Sequence, residues 1–338
     1  MTDDSTTSPI FIVGSVHSGT TLLRRMIESD ESIQSTPGET MLFAEDRLLA
    51  KVFGDLRNKE QREAFLKFAY CRIRLGGNRV KANINSSREC FEENSFSNEH
   101  IAELVKLTSN QSITKATLTT FDFVAAVQEK KRWLEKTPAH ILNLKKILEI
   151  EPSAKVLELV RDPRDILASK RVRRNEDLSL GKSFSQGHEE KINYDPFVDS
   201  LAWRRVIHAG NKIRKNYPNN ILRLSYEELV RETDGVARRV GDFLGLADAK
   251  VQTDVPWRNS TTVDSTDVSE GISDKAVGRG IRELSKTDIA ICQLINHRQM
   301  TALGYEHAKT NYSVLAKAIL AATMSFGELF NRIIRGIR

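Results

Sequence analysis

Cysteine is scarce in this sequence, with only three residues among 338. Cys71, Cys90 and Cys292 stand far apart, and none of them has a neighbour at the spacing of a metal site. An odd and scattered set of thiols is typical of a protein in a reducing compartment. The sequence therefore predicts buried free thiols and no cysteine-based metal site.

The N-terminus lacks a long hydrophobic run. Residues 1–8 are polar and acidic, and the first apolar run begins at Ile10. This leaves no room for a signal peptide or a membrane anchor ahead of the fold. We therefore expect a cytoplasmic protein.

A strong charge imbalance is also missing, since the net charge is +6 with 28% charged and 40% hydrophobic residues. This balance is typical of a globular protein that handles anionic small molecules. No basic stripe interleaved with aromatic residues is present, so the composition does not indicate a nucleic-acid partner. The length fits one large domain with insertions or two domains.

The most informative segment is Ile-Phe-Ile-Val-Gly-Ser-Val-His-Ser-Gly-Thr-Thr at residues 10–21. Its apolar start predicts a buried strand, and the turn from Gly14 to Gly19 leads into a helix that opens at Thr20. The apolar face of that helix contains Leu22, Leu23, Met26 and Ile27. A strand, a glycine-bounded turn and a helix N-terminus together make a site for an anion such as a phosphate.

One residue of the nucleotide-hydrolysing P-loop is absent here. That motif reads G-x-x-x-x-G-K-[ST], with the lysine on the β- and γ-phosphates. Gly14 and Gly19 have the required spacing and Thr21 fills the hydroxyl position, but Thr20 stands in place of the lysine. The loop suits a phosphate but lacks the charge that handles a triphosphate, which disfavours ATP chemistry. The alternative is an ordinary strand-turn-helix that binds nothing.

Alternating strand and helix patterns predict an α/β fold of three layers, with a P-loop-like parallel sheet between helices. Further strands are predicted at 132–135, 155–160 and 220–224, and further helices at 140–150, 166–174, 197–217, 226–244 and 284–303. In such folds ligands bind at the carboxyl ends of the strands.

The remaining segments define the predicted domain organisation. Residues 1–308 form one domain, in which residues 41–130 are a mostly helical insertion that serves either as a substrate cap or as scaffold. The polar stretches 175–195 and 250–282 are too long for ordinary connections, so they are either functional or disordered. Residues 309–338 form an amphipathic tail with five basic residues and one acidic residue. We expect a helix packed on the domain, with weak contact of residues 313–338 with a membrane surface or a partner as the alternative.

Two cationic side chains follow predicted strands, Lys136 after one and Arg161 after the next. Ser169 lies eight residues past Arg161, on the following helix. An arginine fork matches a phosphate, and a hydroxyl adds a donor. With the loop at 14–21 this gives two phosphate sites, which a nucleotide phosphorylated at its 5′ and 3′ positions requires. The alternative for Arg161 is a salt bridge with Asp162 that caps a helix.

Four segments together resemble sulfotransferases that use 3′-phosphoadenosine 5′-phosphosulfate (PAPS). Residues 13–23 are similar to their 5′-phosphosulfate loop, and residues 156–169 resemble their 3′-phosphate strand and helix. Leu-Glu-Lys-Thr-Pro at 134–138 resembles the segment between them, and residues 223–229 resemble a later strand-helix junction. Gly-Glu-Thr at 38–40 is similar to the bacterial and tyrosylprotein-type branch. The resemblance spans residues 9–305.

This resemblance implies transfer of a sulfuryl group from PAPS to an acceptor hydroxyl, less commonly an amine, in line and without a metal. Glu39 would be the general base, Lys136 a cation near the bridging oxygen, and His17 a further catalytic residue. The implied nucleotide-binding residues are Ser15, His17, Ser18, Gly19, Thr20 and Thr21 at the 5′ end, Arg161 and Ser169 at the 3′-phosphate, Tyr226 at the adenine, and Lys275 and Arg279 in a closing segment. A small molecule, a lipid, a carbohydrate or a peptide could supply the hydroxyl.

His17 departs from the family pattern, in which a lysine or arginine usually precedes Ser-Gly-Thr. An unperturbed histidine has a pKa near 6.5, so its charge is conditional. A neutral His17 could hydrogen-bond the leaving group, a neighbouring anion could keep it protonated, or it could merely pack.

Alternatives stay open for the other site residues and for the function. Glu39 could be a helix N-terminal acid, Lys136 a surface lysine and Tyr226 a core residue. The alternative functions are a P-loop kinase or nucleotidase, and a relative that binds PAPS or its product PAP (3′-phosphoadenosine 5′-phosphate) without catalysis.

Overall fold

The structure, a computed structural model, describes residues 7–76, 98–179, 194–246, 251–255, 272–311, 313–316 and 319. Several predictions fall outside these residues. They concern Cys90, most of the loop at 175–195, residues 256–271 of the second polar stretch, and nearly all of the tail at 309–338. The predicted amphipathic helix of that tail therefore stays a prediction.

A five-stranded parallel sheet forms the centre of the fold. Its strands are β1 (Ile10–Gly14), β2 (Ile33–Ser35), β3 (Arg132–Lys136), β4 (Lys155–Val160) and β5 (Ile221–Ser225). Their spatial order is β2-β3-β1-β4-β5. The predicted α/β class is thus confirmed. The edge strand β2 was not predicted, because three residues are too few to show a strand periodicity.

Helices connect the strands. Within the predicted insertion lie α2 (Asp46–Phe53), α3 (Lys59–Leu75), α4 (Asn98–Leu107) and α5 (Ile113–Val127), after α1 (Thr20–Ile27). A 3₁₀ helix (Pro138–Leu142) and α6 (Leu144–Ile150) follow β3, and α7 (Pro163–Ser179) and α8 (Pro196–Asn216) follow β4. The chain continues with α9 (Tyr226–Arg231), α10 (Thr233–Leu244), α11 (Arg279–Glu283) and α12 (Lys286–Ala302). None of the helices in the described segments has both the length and the apolar character needed to cross a membrane.

Alternate residues of each strand point to opposite faces of the sheet. Helices pack on both faces, so the side chains on both are buried. Phe11 and Trp133 face helices α2 to α6 and pack in one large core, with ring centroids 5.2 Å apart. Ile10 and Ile12 point the other way and pack with Leu23 of α1 and with α10. The helices of residues 41–130 therefore cover one face of the sheet within the connection from β2 to β3.

Strand register brings the candidate site residues to one edge of the sheet. Lys136 at the end of β3 pairs with Ile12 of β1, and Gly14 at the end of β1 pairs with Leu159 of β4. Since all strands are parallel, the segments that follow β1, β3, β4 and β5 start at the same carboxyl edge.

The two described cysteines are free and buried, as the sequence predicts. Burial raises the pKa of the Cys292 thiol to about 12, so it stays protonated at neutral pH. It packs with Leu167 and Leu284 in the core beneath α12.

Candidate functional site

The turn after β1 depends on two glycines. Gly14 has φ +146°, and a Cβ there would lie 2.2 Å from the carbonyl oxygen of Leu159. Gly19 has φ +93°, and a Cβ there would lie 2.5 Å from Cδ2 of Tyr226. His17 between them also adopts a left-handed conformation, with φ +60°. Only glycine fits at the two ends of this loop, because the neighbouring strand and ring approach so closely.

The N-terminus of α1 is free to bind an anion. Gly19 is its N-cap, no side chain caps it, and its first turn has no acidic residue. The N–H groups of this turn therefore keep their hydrogen-bonding capacity and the positive end of the helix dipole. The buried Ser18 holds the loop together, since both its hydroxyl and its N–H donate to the Ser15 carbonyl oxygen, at 2.6 and 3.2 Å. The Ser15 hydroxyl is buried without a hydrogen-bond partner among the described residues.

Arg161, the first residue after β4, touches the loop directly. Its Nη1 donates to the His17 carbonyl oxygen at 2.9 Å, and its Nη2 donates to that of Ala276 at 2.9 Å. Its Nε is buried and has no partner among the described residues. The loop and the predicted 3′-phosphate residue thus lie in one site. A phosphate bound there would engage Nε or displace one of the two carbonyls.

Tyr226 packs behind this arginine, with its ring 4.0 Å from Cζ of Arg161 and in contact distance of Gly19. The side chain is 5% exposed, and burial raises the pKa of its phenol. This geometry gives Tyr226 a clear packing role through a cation–π contact. Its predicted contact with adenine stays a prediction.

Positive charge surrounds His17. Burial first, and then the charges of Lys170, Arg161 and Arg173, lower the pKa of His17 to about 4. The imidazole is therefore neutral at neutral pH in this structure, which disfavours the protonated form among the three predicted alternatives. Lys170 and Arg173 were not predicted as site residues. Arg173 lies four residues after Ser169 on α7, and this spacing is the signal in the sequence that could have found it.

The segment before α11 docks on the start of α7. The Asp165 carboxylate accepts hydrogen bonds from the N–H groups of Gly278 and Gly280, at 2.8 and 2.7 Å. This contact places residues 276–280 beside Arg161. Of the two predicted closing residues, Lys275 is exposed and Arg279 forms an ion pair with Glu283 at 2.7 Å. Ser169 is half-buried on α7.

Glu39 and Lys136 form an ion pair, with Oε1 and Nζ 2.8 Å apart. Glu39 lies in the loop after β2 and its side chain is 34% exposed, while that of Lys136 is 7% exposed. Because α2 begins only at Asp46, Glu39 is not a helix N-terminal acid. Lys136 is not a surface lysine either. A reachable carboxylate and a buried cation thus stand side by side at the end of β3.

Comparison with known proteins identifies the family. A model of the sulfotransferase family matches residues 9–250. The chain therefore belongs to the sulfotransferase family, which confirms the resemblance that its four motifs indicated.

Curated relatives are distant in sequence. An omega-hydroxy-beta-dihydromenaquinone-9 sulfotransferase, Stf3, of Mycobacterium bovis is 25% identical over 270 residues, which cover 71% of this chain and 63% of that protein. The Mycobacterium tuberculosis protein of the same name gives the same values. Mouse sulfotransferase 2A6 is 32% identical over 99 residues, or 27% of this chain and 32% of that protein. The chain thus spans 63% of the length of the mycobacterial relatives that it matches.

Solved structures share the fold. The sulfotransferase domain of the curacin biosynthetic pathway is 19% identical with a TM-score of 0.51, covering 89% of this chain and 99% of that domain. The sulfotransferase domain of the Synechococcus PCC 7002 olefin synthase is also 19% identical, with a TM-score of 0.52 and coverage of 88% and 96%. The P-loop-like sulfotransferase fold predicted for this chain is confirmed.

Proposed function

We propose that this protein transfers a sulfuryl group from PAPS to the hydroxyl group of a small-molecule acceptor. One observation carries the proposal. The uncapped helix N-terminus after β1, Arg161 after β4 and the Glu39–Lys136 pair after β2 and β3 lie at the same edge of the sheet. An anion site and an acid–base pair thus stand side by side.

The described residues fit a nucleotide with a 5′ and a 3′ phosphate. The buried hydroxyl of Ser15 and the buried Nε of Arg161 both have unused hydrogen-bonding capacity in the described structure. Such groups are costly unless a partner satisfies them. We infer that Ser15 and the N–H groups of Gly19, Thr20 and Thr21 bind the 5′ end. Arg161 and Ser169 then bind the 3′ phosphate.

PAPS, when bound, supplies the sulfuryl group, and PAP is the product that remains. The Glu39 carboxylate accepts the proton of the acceptor hydroxyl while that oxygen bonds to sulfur. The sulfur–oxygen bond to the phosphate breaks, and its electron pair stays on the phosphate oxygen. Lys136 Nζ and the N–H groups at the start of α1 stabilise that developing charge. The neutral His17 can donate a further hydrogen bond.

This chemistry accounts for the missing P-loop lysine. A sulfuryl group carries about one negative charge less than a phosphoryl group, so the transfer does not require the Mg²⁺ clamp of phosphoryl transfer. We propose that the reaction is independent of metal ions.

A hydroxyl acceptor is supported by the mycobacterial relatives, whose name describes an omega-hydroxy menaquinone derivative as the molecule that is sulfated. Glu39 is partly exposed, so an acceptor of this kind has access to the base. We therefore propose a small molecule or a lipid with a free hydroxyl as the acceptor.

The test is incubation of the protein with ³⁵S-labelled PAPS, the soluble and lipid fractions of a cell extract, and EDTA. We expect label in an acceptor fraction and an equal amount of PAP. Glu39→Gln should lower the transfer rate by about 10²- to 10⁴-fold with little change in PAP affinity. Glu63→Gln is the matched control, because Glu63 pairs with Lys67 on the surface of α3 at 2.8 Å.

Three results would contradict the proposal. PAP binding without labelled product would favour a binding protein without catalysis. Strict dependence on Mg²⁺ with turnover of ATP would favour a kinase. A full rate in Glu39→Gln would exclude Glu39 as the base.

A further inference from the structure

A buried carboxylate directly precedes the catalytic lysine. Glu135 is 0% exposed and neighbours Lys136 on β3, so the two side chains point to opposite faces of the sheet. Burial alone would raise the pKa of Glu135, but hydrogen bonds from His140, Thr137 and Thr40 lower it below its ordinary value. Glu135 therefore stays ionised and acts only as a hydrogen-bond acceptor.

Both oxygens of Glu135 are used. Oε1 accepts from the hydroxyl groups of Thr40 and Thr137, at 2.8 and 2.5 Å, and Oε2 lies 2.8 Å from Nδ1 of His140. The N–H of Phe43 points to Nε2 of His140 at 3.3 Å, so Nδ1 carries the proton and donates to Glu135. We name Glu135, Thr137, His140 and Thr40 the carboxylate network. All four residues are 0% exposed.

This network fixes the loop that contains Glu39. Thr40, the next residue, donates its N–H to the Thr137 hydroxyl at 3.0 Å, and its carbonyl oxygen accepts from Nη1 of Arg72 at 3.0 Å. The following residue, Met41, has φ +59°, a conformation that is strained for a non-glycine residue. Contacts on both sides of Met41 hold it there. The backbone of Glu39 is thus fixed while its side chain remains partly exposed.

We propose that Glu135, Thr137 and His140 are positioning residues for sulfuryl transfer. They hold the loop that contains Glu39 against the end of β3. The carboxylate of Glu39 and Nζ of Lys136 thus stay 2.8 Å apart, where both can act on the same reacting group. This inference rests on the proposed function of Glu39 and Lys136. Because the residues of the network are 0% exposed, it acts through Glu39 and not by contact with nucleotide or acceptor.

The test uses Thr137→Val in the full chain, since this change removes the hydroxyl and keeps the size of the side chain. The acceptors are primary alcohols from ethanol to dodecanol and phenol, and the fastest is used throughout. We expect kcat to fall about 10- to 100-fold, because small displacements of a catalytic group have effects of this size. The Kd for PAP should stay within about threefold, because the contacts of Thr137 hold only the loop of Glu39. Thr137→Ser should restore kcat, because serine keeps the hydroxyl group.

Glu158→Gln is the matched control. Glu158 on β4 is also a buried carboxylate, 1% exposed, but both of its oxygens accept from Arg223, each at 2.8 Å. It should lower thermal stability and leave kcat unchanged. The proposal is overturned if the two variants lose similar stability and Thr137→Val lowers kcat no more than Glu158→Gln does. The network would then be only structural.

A double-mutant cycle separates this proposal from the proposed function. If Thr137 acts through Glu39, adding Thr137→Val to Glu39→Gln should cause no further loss of rate, whereas independent effects would multiply. Multiplied losses, or a full rate in Thr137→Val when Glu39→Gln is inactive, overturn the positioning role alone. A full rate in Glu39→Gln overturns the base assignment and the network's role with it.

Hydrogen exchange gives a result that needs no acceptor. The amide of Thr40 should exchange faster in Thr137→Val than in the unchanged protein, because it loses its 3.0 Å acceptor and keeps only the longer contact with Oε1 of Glu135 at 3.3 Å. Glu158→Gln should leave the exchange of residues 36–43 unchanged. Equal exchange in Thr137→Val and the unchanged protein would show that the network does not hold the loop.

Discussion

His17 gives the proposed site a titratable group at the loop that we propose binds the 5′ end of the nucleotide. Its pKa of about 4 results from burial and from the cations Lys170, Arg161 and Arg173. The residue that stands in place of the family's fixed cation is therefore neutral at neutral pH. The negative charge of a bound anion would offset the charges of these cations and raise the pKa of His17.

A first prediction at this scale concerns stability against pH. The unfolded chain takes up a proton on His17 near pH 6.5, but the folded chain does so only near pH 4. The stability due to neutral His17 is therefore complete above pH 6.5 and is lost as the pH falls to 4. His17→Asn removes this titration and tolerates a positive φ. The difference in unfolding free energy, unchanged protein minus variant, should fall by on the order of 3 kcal/mol between pH 7 and 4.

Urea unfolding of both proteins at pH 7, 5.5 and 4 measures this difference. Other titrating groups are common to the two proteins and cancel. Parallel stability curves over this range would show that His17 is not held neutral by its surroundings.

A second prediction at the residue scale concerns Arg161. Arg161→Ala should weaken PAP binding by about 10- to 100-fold, as expected for lost hydrogen bonds to a charged group. Binding of adenosine 5′-monophosphate, which lacks the 3′ phosphate, should weaken less. Titration calorimetry with both nucleotides measures the two losses, and Ser169→Ala should show the same preference on a smaller scale. Equal losses for both nucleotides would mean that Arg161 only braces the loop through the His17 carbonyl.

At the scale of elements, the site depends on a segment far along the chain. Residues 276–280 contact the first turn of α7 through the Asp165 carboxylate and contact Arg161 through the Ala276 carbonyl. Gly280 is required there, because a Cβ would lie 2.4 Å from the carbonyl carbon of Arg164. This docking brings the predicted closing segment to the side of the proposed 3′-phosphate site.

We predict that Asp165→Asn releases this segment. The amide keeps one acceptor oxygen and presents an N–H₂ group to the second N–H, so one of the two hydrogen bonds is lost. PAP affinity should fall by about tenfold, as for one hydrogen bond of about 1.5 kcal/mol, and exchange of the Gly278 and Gly280 amides should accelerate. Asp122→Asn is the control, since Asp122 is an exposed carboxylate that accepts a hydrogen bond from Nε1 of Trp133 at 2.7 Å. The same loss of PAP affinity in both variants would contradict the prediction.

At the scale of the whole molecule, the fold extends beyond the family match, which ends at residue 250. Helix α12 supplies Ile289 and Met300 to cores that also contain residues of β4, α7 and α8. Its Gln293 accepts a hydrogen bond from Nη1 of the buried Arg164 at 2.9 Å. The C-terminal helix therefore supports the start of α7, where Arg161 and Asp165 lie.

We predict that a chain ending at residue 271 does not bind PAP, because it lacks α12 and leaves apolar surface of α7 and α8 exposed. A chain ending at residue 311 should keep PAP affinity within about threefold, since the affinity depends on the contacts that it retains. Thermal unfolding with and without PAP compares the two. A PAP-dependent rise in the melting temperature of the 271-residue chain would show that the family-matched part folds and binds alone.

The local patterns were sufficient for most of the elements. The strands at 132–135 and 155–160 and the helix at 197–217 agree with β3, β4 and α8 to within one residue at each end. The errors occurred where the pattern was weak or short. The three-residue strand β2 was not predicted, and the helix expected at 140–150 begins as a 3₁₀ turn at Pro138. The single helix expected at 226–244 is two helices, α9 and α10, which are separated at Glu232.

The sequence by itself determined the family, the parallel sheet and the anion loop, because each follows from residues close together in the chain. Hydrophobic alternation predicts a strand. Gly14 and Gly19 define the turn, and Thr20 shows that the P-loop lysine is absent. The tertiary structure decided the pairing of Glu39 with Lys136, 97 residues apart, and the docking of residues 276–280 on Asp165. It also decided the low pKa of His17. Such features depend on burial and charge contributed by distant segments, and no local pattern encodes which segments meet.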